Sequence, residues 1–339
     1  MKKNNSYSSS KRRTPWDGKE DLSPTQSFIK SNYLDTYYNR HPILKETNEA
    51  ELLNSLDVRC CKYCGSTLFI KKGFTSNGVQ RYKCKDCDKY FTILSNSLFE
   101  NHKISILSWI EYLLNLFGYV SFRSTSRNSK IADSTTKYWL FKLFDILSNY
   151  QEDIILSGDV YIDETYYKVA KKDTIRKYDG TLKANENQYC IAIGYDFSKV
   201  LCICEGLGIH TSYKKTYDAF INHIAKGSTL IHDKERAHDI LIEPLKLKSK
   251  AYNSLECKKL PDKDNPLQPI NNQCNLLKQF LNSHRGFNRK YLQDYLNLYS
   301  FIHNPPYNRL EKVEYLIECA VYSAKSIKYR DLMSKKSDK

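Results

Sequence analysis

The chain has 339 residues, 41% of them hydrophobic and 27% charged, with a formal net charge of +15. That length allows two or three domains with real cores, and the cationic excess points to a polyanionic partner, because neutralising phosphates releases counterions. No stretch reaches 18 uncharged apolar residues, and the 11 cysteines follow no secretory leader, so a membrane span and a disulfide-built extracellular scaffold are excluded and a reducing cytoplasm is expected.

Residues 1–56 read as an arm. Its first 25 residues are polar and of low complexity, with the basic run Lys11-Arg12-Arg13, and are expected to be disordered; weak helical patterns follow at 28–38 and 46–56. Residues 57–97 carry the sharpest local motif, Cys61-Lys62-Tyr63-Cys64 and Cys84-Lys85-Asp86-Cys87, with 19 residues between the inner cysteines. Four thiolates at that spacing can close a tetrahedron around one structural zinc ion, and the intervening segment is the length of a two-stranded ribbon. The ribbon is basic and carries aromatics, so nucleic acid is its expected partner. Tyr90-Phe91-Thr92 should pack beneath the metal. The remaining cysteines, such as Cys190, Cys202 and Cys204, sit in apolar strings and read as reduced core residues.

Residues 98–150 switch to helical period. Ile106, Leu107, Ile110, Leu113, Leu114 and Phe117 fall on one side of a helix ending at Gly118. A polar stretch, 121–130, precedes a second apolar helix beginning near Asp133 or Ser134, either of which suits an N-cap. Helix, polar turn, short helix and capped helix form a helix-turn-helix-like, DNA-binding pattern; an ordinary helical connector would read similarly.

From Gly158 the pattern becomes α/β. Strands are expected at 160–169, 189–195 and 200–205, the last two joined by a hairpin turn at 196–199. A helix at 212–225, a strand at 228–232, a helix at 235–242 and a short strand at 251–253 follow. A charged loop, 257–269, leads into helices at 271–283, 288–302 and 310–328. Three antiparallel strands followed by parallel ones flanked by helices is the order of an RNase H-like sheet, here over 155–305, with a C-terminal helix and basic tail over 306–339. The fold class is therefore multidomain: a small zinc ribbon, a helical domain, then an α/β RNase H-like catalytic domain with C-terminal helices.

Two aspartates carry the chemistry. Asp163 lies inside the first strand, in Val160-Tyr161-Ile162-Asp163-Glu164-Thr165, where an unpartnered carboxylate is costly to bury; Asp233 ends the later strand Thr229-Leu230-Ile231-His232-Asp233. Carboxylates on adjacent strands can converge on hard cations, Mg²⁺ or Mn²⁺, which serve in-line phosphoryl transfer. Glu164 should point to the opposite strand face from Asp163 and take at most a supporting part. His232 and His238 fit packed or supporting roles better than ligation.

Four blocks resemble the insertion-sequence DDE transposases with an N-terminal zinc ribbon, the ISXO-type group. They are the two cysteine knuckles, Tyr161-Ile162-Asp163-Glu164-Thr165, Leu230-Ile231-His232-Asp233 with Glu235 and His238, and Pro269 through Lys278 running on past His284-Arg285-Gly286-Phe287 to Asn297. The resemblance implies catalytic carboxylates at Asp163 and Asp233. The third position, usually Glu, falls at Asn271, with Lys278 seven residues on, which fits the family's DDNK subgroup. Two helical turns separate Asn271 and Lys278, so they share a face. An Asn carbonyl ligates a hard cation without adding charge, and Lys278 offsets phosphate charge. The implied activity is metal-dependent cleavage and strand transfer of double-stranded DNA at terminal inverted repeats, by a homo-oligomer near the bacterial nucleoid. A non-catalytic DNA-binding regulator that keeps the fold is the alternative, and a structure-specific nuclease of the same superfold is a third.

Overall fold

The computed structural model describes residues 22–34, 43–44, 48–169, 173–183, 186–284, 286–323 and 329. The low-complexity start and nearly all of the basic tail, on which disorder and charge were expected, lie outside the described residues. The chain divides into two compact units, Met1–Leu114 with Asn308–Lys325, and Asn115–Tyr307 with Ser326–Lys339. Among the described residues no helix is long and apolar enough to cross a membrane.

The first unit holds α1 (Pro24–Asn32), β1 (Tyr33–Leu34), β2 (Ile43–Leu44), α2 (Ala50–Ser55), β3 (Phe69–Phe74), β4 (Gln80–Cys84), β5 (Tyr90–Phe91) and most of α3 (Ile106–Phe117). The second holds α4 (Phe122–Asn128), α5 (Asp133–Ile146), β6 (Asp159–Lys168), β7 (Gln188–Tyr195), β8 (Val200–Leu207), α6 (Tyr213–Phe220), β9 (Thr229–Asp233), α7 (Ile242–Leu245), β10 (Lys248–Tyr252), α8 (Ser254–Cys257), α9 (Gln268–Ser283) and α10 (Leu292–His303); α11 (Arg309–Tyr322) belongs to the first unit.

In the first unit β3, β4 and β5 form an antiparallel ribbon. Phe91 is buried against Cys61 and Cys84, with Phe69 and Tyr82 packed beside it. Tyr82 stacks on Phe91 at 5.5 Å between centroids. Tyr90, its neighbour on the strand, faces solvent instead, as the period of two requires. The returning helix α11 is tied to the ribbon's first knuckle: Lys62 Nζ donates to the Val321 carbonyl at 3.0 Å, and the Arg59 guanidinium lies 4.5 Å from the Tyr322 ring centroid. Helix α3 departs from the one-sided pattern. Trp109, Tyr112 and Leu116 are buried along with Ile106, Ile110 and Leu113. Its buried face is wide rather than complete, since Ser108 and Glu111 stay half-exposed on the remaining side.

In the second unit the sheet order is β10-β9-β6-β7-β8. Strands β6, β7 and β8 pair antiparallel, while β9 pairs parallel to β6 and β10 parallel to β9. This is the RNase H-like arrangement, with the aspartate-bearing β6 at its centre. The even-numbered residues Val160 and Ile162 join Ala192, Leu230, Ala219 and Phe220 in the core beneath α6. The odd-numbered face lies toward α9, where the Tyr167 hydroxyl donates to the Leu281 carbonyl at 3.2 Å.

Several element bounds differ from expectation for local reasons. Helix α5 begins at Asp133 with Ala132 as N-cap and no side-chain cap, so neither Asp133 nor Ser134 is the cap; Asp133 sits in the first turn, where its charge suits the helix dipole. Helix α6 stops at Phe220 rather than 225 because the chain turns to pair with Leu156: the Leu156 N–H donates to His223 and the Ala225 N–H to Leu156, both at 2.8 Å. The stretch after β9 is a 3-10 helix, Arg236–Leu241, followed by α7. Helix α9 starts three residues early because Pro269 fits a helix's first turn.

Gly194 on β7 marks the tightest packing of this core. A Cβ built there would lie 2.6 Å from Leu156 Cδ1 and 3.0 Å from Phe220 Cε1. Gly194→Ala should therefore destabilise the protein by about 1–3 kcal/mol, read as a lower urea midpoint at unchanged m-value; an unchanged midpoint would mean that α6 is not held against this strand.

Candidate active site and metal centres

The four knuckle cysteines converge. Cys61 and Cys87 sulfurs are 3.7 Å apart and Cys64 and Cys84 sulfurs 3.6 Å apart, and one ligand atom from each lies within 4.8 Å of the others. Sulfurs at about 2.3 Å from one zinc ion stand roughly 3.8 Å from each other in a tetrahedron, so the set fits that metal. The backbone N–H of Cys87 bonds the Cys84 thiolate and, with the Asp86 N–H and against the effect of burial, brings the Cys84 thiol down to about 7. A thiolate at neutral pH is what ligation needs.

The second centre is built on β6. Asp163 is half-buried, and its Oδ1 accepts from the Glu164 N–H at 2.8 Å. Burial raises its carboxyl, and the Glu164 and Asp233 charges raise it further; the Glu164 N–H and His238 oppose this, and the net is a pKa of about 6. The pairing of β6 with β9 ends at Tyr161↔Ile231. The same register carried two residues on sets Asp163 beside Asp233, on one sheet face. Asp163 shares a cleft of about 340 Å³ with Asn271, Cys274 and Lys278 of α9 and with Lys258 and Asp262 of the preceding loop. Asn271, Cys274 and Lys278 are spaced three and four residues apart, one face of a helix. Asn271 is half-buried and Lys278 exposed. Cys274 is buried, with its sulfur 3.9 Å from Asp163 Oδ2. Its thiol is pushed far above its ordinary range by burial and by the Asp163 charge, so it stays neutral.

Sequence reasoning missed the far side of this strand end. Glu164 does leave the Asp163 face, as expected, but it meets His238: His238 Nε2 lies 3.0 Å from Glu164 Oε1. The other ring nitrogen of His238 lies 3.2 Å from His232 Nδ1 and 3.6 Å from Asp233 Oδ1, and His232 Nε2 lies 3.0 Å from Ser249 Oγ. His238 is fully buried. Burial works against its imidazolium, but the Glu164 hydrogen bond and the carboxylates around it outweigh that, and its pKa is raised. His232 is shifted the other way by burial and by His238. The two histidines with Asp233 bring ligand atoms within 4.8 Å, yet His238 is already committed to Glu164. The signal in the sequence was a strand Glu and a buried-pattern His that lacked other partners.

The order and directions of the strands are those of an RNase H-like sheet, and the cleft lies at the end of its central strand. Residues 155–304, fewer than half of the chain, match the family model of the ISXO2-like transposase domain, so that segment is similar to the transposase domain of this family. No curated protein sequence matches the chain. Among solved structures, the Mos1 transposase catalytic domain with raltegravir and Mg is 13% identical, with 56% of this chain and 94% of that one covered at a TM-score of 0.29. The Mos1 mariner paired-end complex with Mn is 12% identical, covering 65% and 79% at 0.30. A simian T-cell lymphotropic virus intasome in complex with the PP2A regulatory subunit B56 gamma is 12% identical, covering 56% and 65% at 0.28. These scores are too low to argue from, and the fold class rests on the sheet's own topology.

A carboxylate raised by its surroundings destabilises the fold once it ionises. The native state binds the Asp163 proton up to about pH 6, the unfolded chain only to about 3.9, so this contribution falls as pH rises between those values. Metal-free Asp163→Asn should gain on the order of 2–3 kcal/mol at pH 7.5 and almost nothing at pH 4. Urea midpoints of the two proteins at both pH values test it; equal midpoints at pH 7.5 would show that the carboxylate is not strained.

Proposed function

We propose that the protein binds the terminal inverted repeats of an insertion sequence and catalyses divalent-metal-dependent strand cleavage and strand transfer there. The observation that carries this reading is the half-buried, charge-strained Asp163 facing Asn271 and Lys278 across one cleft, with Asp233 on the adjacent strand. Asp163, Asp233 and Asn271 would hold Mg²⁺ or Mn²⁺. All three offer hard oxygen donors, and a cation there would relieve the mutual repulsion that raises Asp163. Bound metal supplies Lewis-acid stabilisation of the attacking and departing oxygens. The chain's own residues do the rest. Lys278, exposed on the α9 face, meets the phosphate; Cys274 stays neutral and excludes water from the back of Asp163; and the Glu164–His238 pair fixes the end of β9.

DNA binding is assigned to the N-terminal half. Cys61, Cys64, Cys84 and Cys87 would hold structural zinc within a ribbon. On that ribbon Ile70, Phe74 and Tyr90 are exposed among Lys71, Lys72, Arg81 and Lys83, with the Arg81 guanidinium 5.4 Å and the Lys83 ammonium 5.7 Å from the Tyr90 ring centroid. Cations with exposed rings suit phosphate and base contact. Helices α4 and α5, joined at 129–132, are read as the helix-turn-helix, with α5 as the reading helix. Two element ends must be held together for transfer, so a homo-oligomer on DNA is part of the proposal.

A labelled duplex carrying the element end, incubated with Mg²⁺ or Mn²⁺, should be cut by the unmutated protein. Asp163→Ala and Asp233→Ala should each leave less than about a hundredth of that rate, the scale of losing one stabiliser of transition-state charge. Binding without any cleavage by the unmutated chain would replace the transposase reading with that of a DNA-binding regulator.

The ribbon makes a separate claim. One zinc ion per chain should be found by elemental analysis of protein purified without chelator, and Cys61→Ser with Cys87→Ser should abolish it. Full zinc content in that double variant would place the metal elsewhere.

A further inference from the structure

A second cavity of the catalytic unit, apart from the Asp163 cleft, is unaccounted for by the proposed chemistry. It encloses about 580 Å³ and is walled by the first half of α5, the end of α9 and the turn into α10. That is the volume class of small-molecule sites. Its floor and walls are aromatic. Phe141 and Phe144 of α5 are buried, and Phe287 and Tyr291 stand half-exposed across from them. The rings form one interlocked set: Phe141 and Tyr291 centroids are 4.9 Å apart, Phe144 and Tyr295 5.0 Å, Phe287 and Tyr295 4.0 Å. The rim is cationic. Arg123 of α4 and Lys137 of α5 line it, both exposed, and neither is in an ion pair among the described residues. Asp133 is the one carboxylate in the lining. Lys290 adds a further cation, its ammonium 4.8 Å from the Tyr291 centroid.

The geometry points to this cavity as a site for an unpaired nucleobase of the bound DNA, stacked on Tyr291, with its flanking phosphates on Arg123 and Lys137. This rests on the DNA-binding reading above and deepens it. Three features select that occupant. Flat ring walls accept any base by stacking, without a fixed hydrogen-bond code. Two cations against one carboxylate at the mouth match an anionic phosphodiester better than a cationic or a neutral apolar ligand. The wall formed by Thr136 and Lys137 belongs to the N-terminal half of α5, the part that a helix-turn-helix presents to base edges, so a strand lying along it passes the mouth. A paired base is held in its stack and cannot enter, whereas a bulged or unpaired one enters at little cost.

The test uses the full chain and two duplexes of one sequence, one fully paired and one carrying a single bulged 2-aminopurine. The unmutated protein should bind the bulged duplex at least about 5-fold more tightly and quench its fluorescence, since one stacked base contributes about 1–3 kcal/mol. Tyr291→Ala should abolish the preference and the quenching, Tyr291→Phe should keep both, and Arg123→Glu should weaken both duplexes. Equal affinity for the two duplexes, or a preference that survives Tyr291→Ala, overturns the assignment. If equal affinity comes with intact metal-dependent cleavage, the transposase reading stands and only the pocket assignment fails; if neither duplex binds, both fail.

Discussion

Everything in the catalytic unit is arranged around one electrostatic constraint, a carboxylate on the central strand of a sheet. Asp163 is partly removed from water, and Glu164 and Asp233 add their charges to its strain. A side chain so placed is stable as an anion only with a cation nearby. The sheet order puts β6 between β7 and β9, so the strand has little freedom to relieve the strain by moving. The structure instead contains the strain from behind. Glu164 turns to the other face and meets His238, whose pKa the Glu164 hydrogen bond and the surrounding carboxylates raise against the effect of burial. One carboxylate of the adjacent pair is thereby hydrogen-bonded within the protein, and the other is left for what enters the cleft.

Much of this was legible in the sequence because it is local. Cysteine knuckles announce themselves by spacing, and Asp163 by being the wrong residue for a buried strand. Asn271 and Lys278 were singled out by the family resemblance, and helical periodicity sets them on one face. The sheet order followed from the alternation of elements, since few connections between such strands are sterically allowed. What was not legible depends on pairs far apart in the chain. Glu164 and His238 are 74 residues apart, and Cys274 and Asp163 are 111 apart. No periodicity connects them; only the fold does. Helix α3 misled for a different reason. Its apolar face extends beyond the one-sided stripe to take in Trp109 and Tyr112, leaving only a narrow polar strip at Ser108 and Glu111.

The boundary errors carry physical meaning as well. Helix α6 ends early because Leu156 captures the carbonyl of His223 and the N–H of Ala225, a tertiary contact overriding helix propensity. That capture seals the edge of the sheet beneath Gly194 and holds Phe220 in the core. A continuous helix would have withdrawn these groups and left the lower face of β7 without its cover.

Asn271 is the residue whose chemistry departs most from an all-carboxylate site, and the charge balance explains why the site tolerates it. Burial, with the Glu164 and Asp233 charges, already pushes Asp163 to about 6. A third acid on α9, in the same cleft, would push in the same direction and draw protons onto the cluster near neutral pH, which competes with metal binding. Asn271 keeps the oxygen donor and omits that repulsion. The cost is weaker attraction for the cation, and Lys278 on the same helix face would weaken it further unless its charge is met by phosphate. On the proposed reading the arrangement would favour metal and DNA entering together: phosphate would neutralise Lys278 and the metal would neutralise the aspartates, and neither charge would be well satisfied alone.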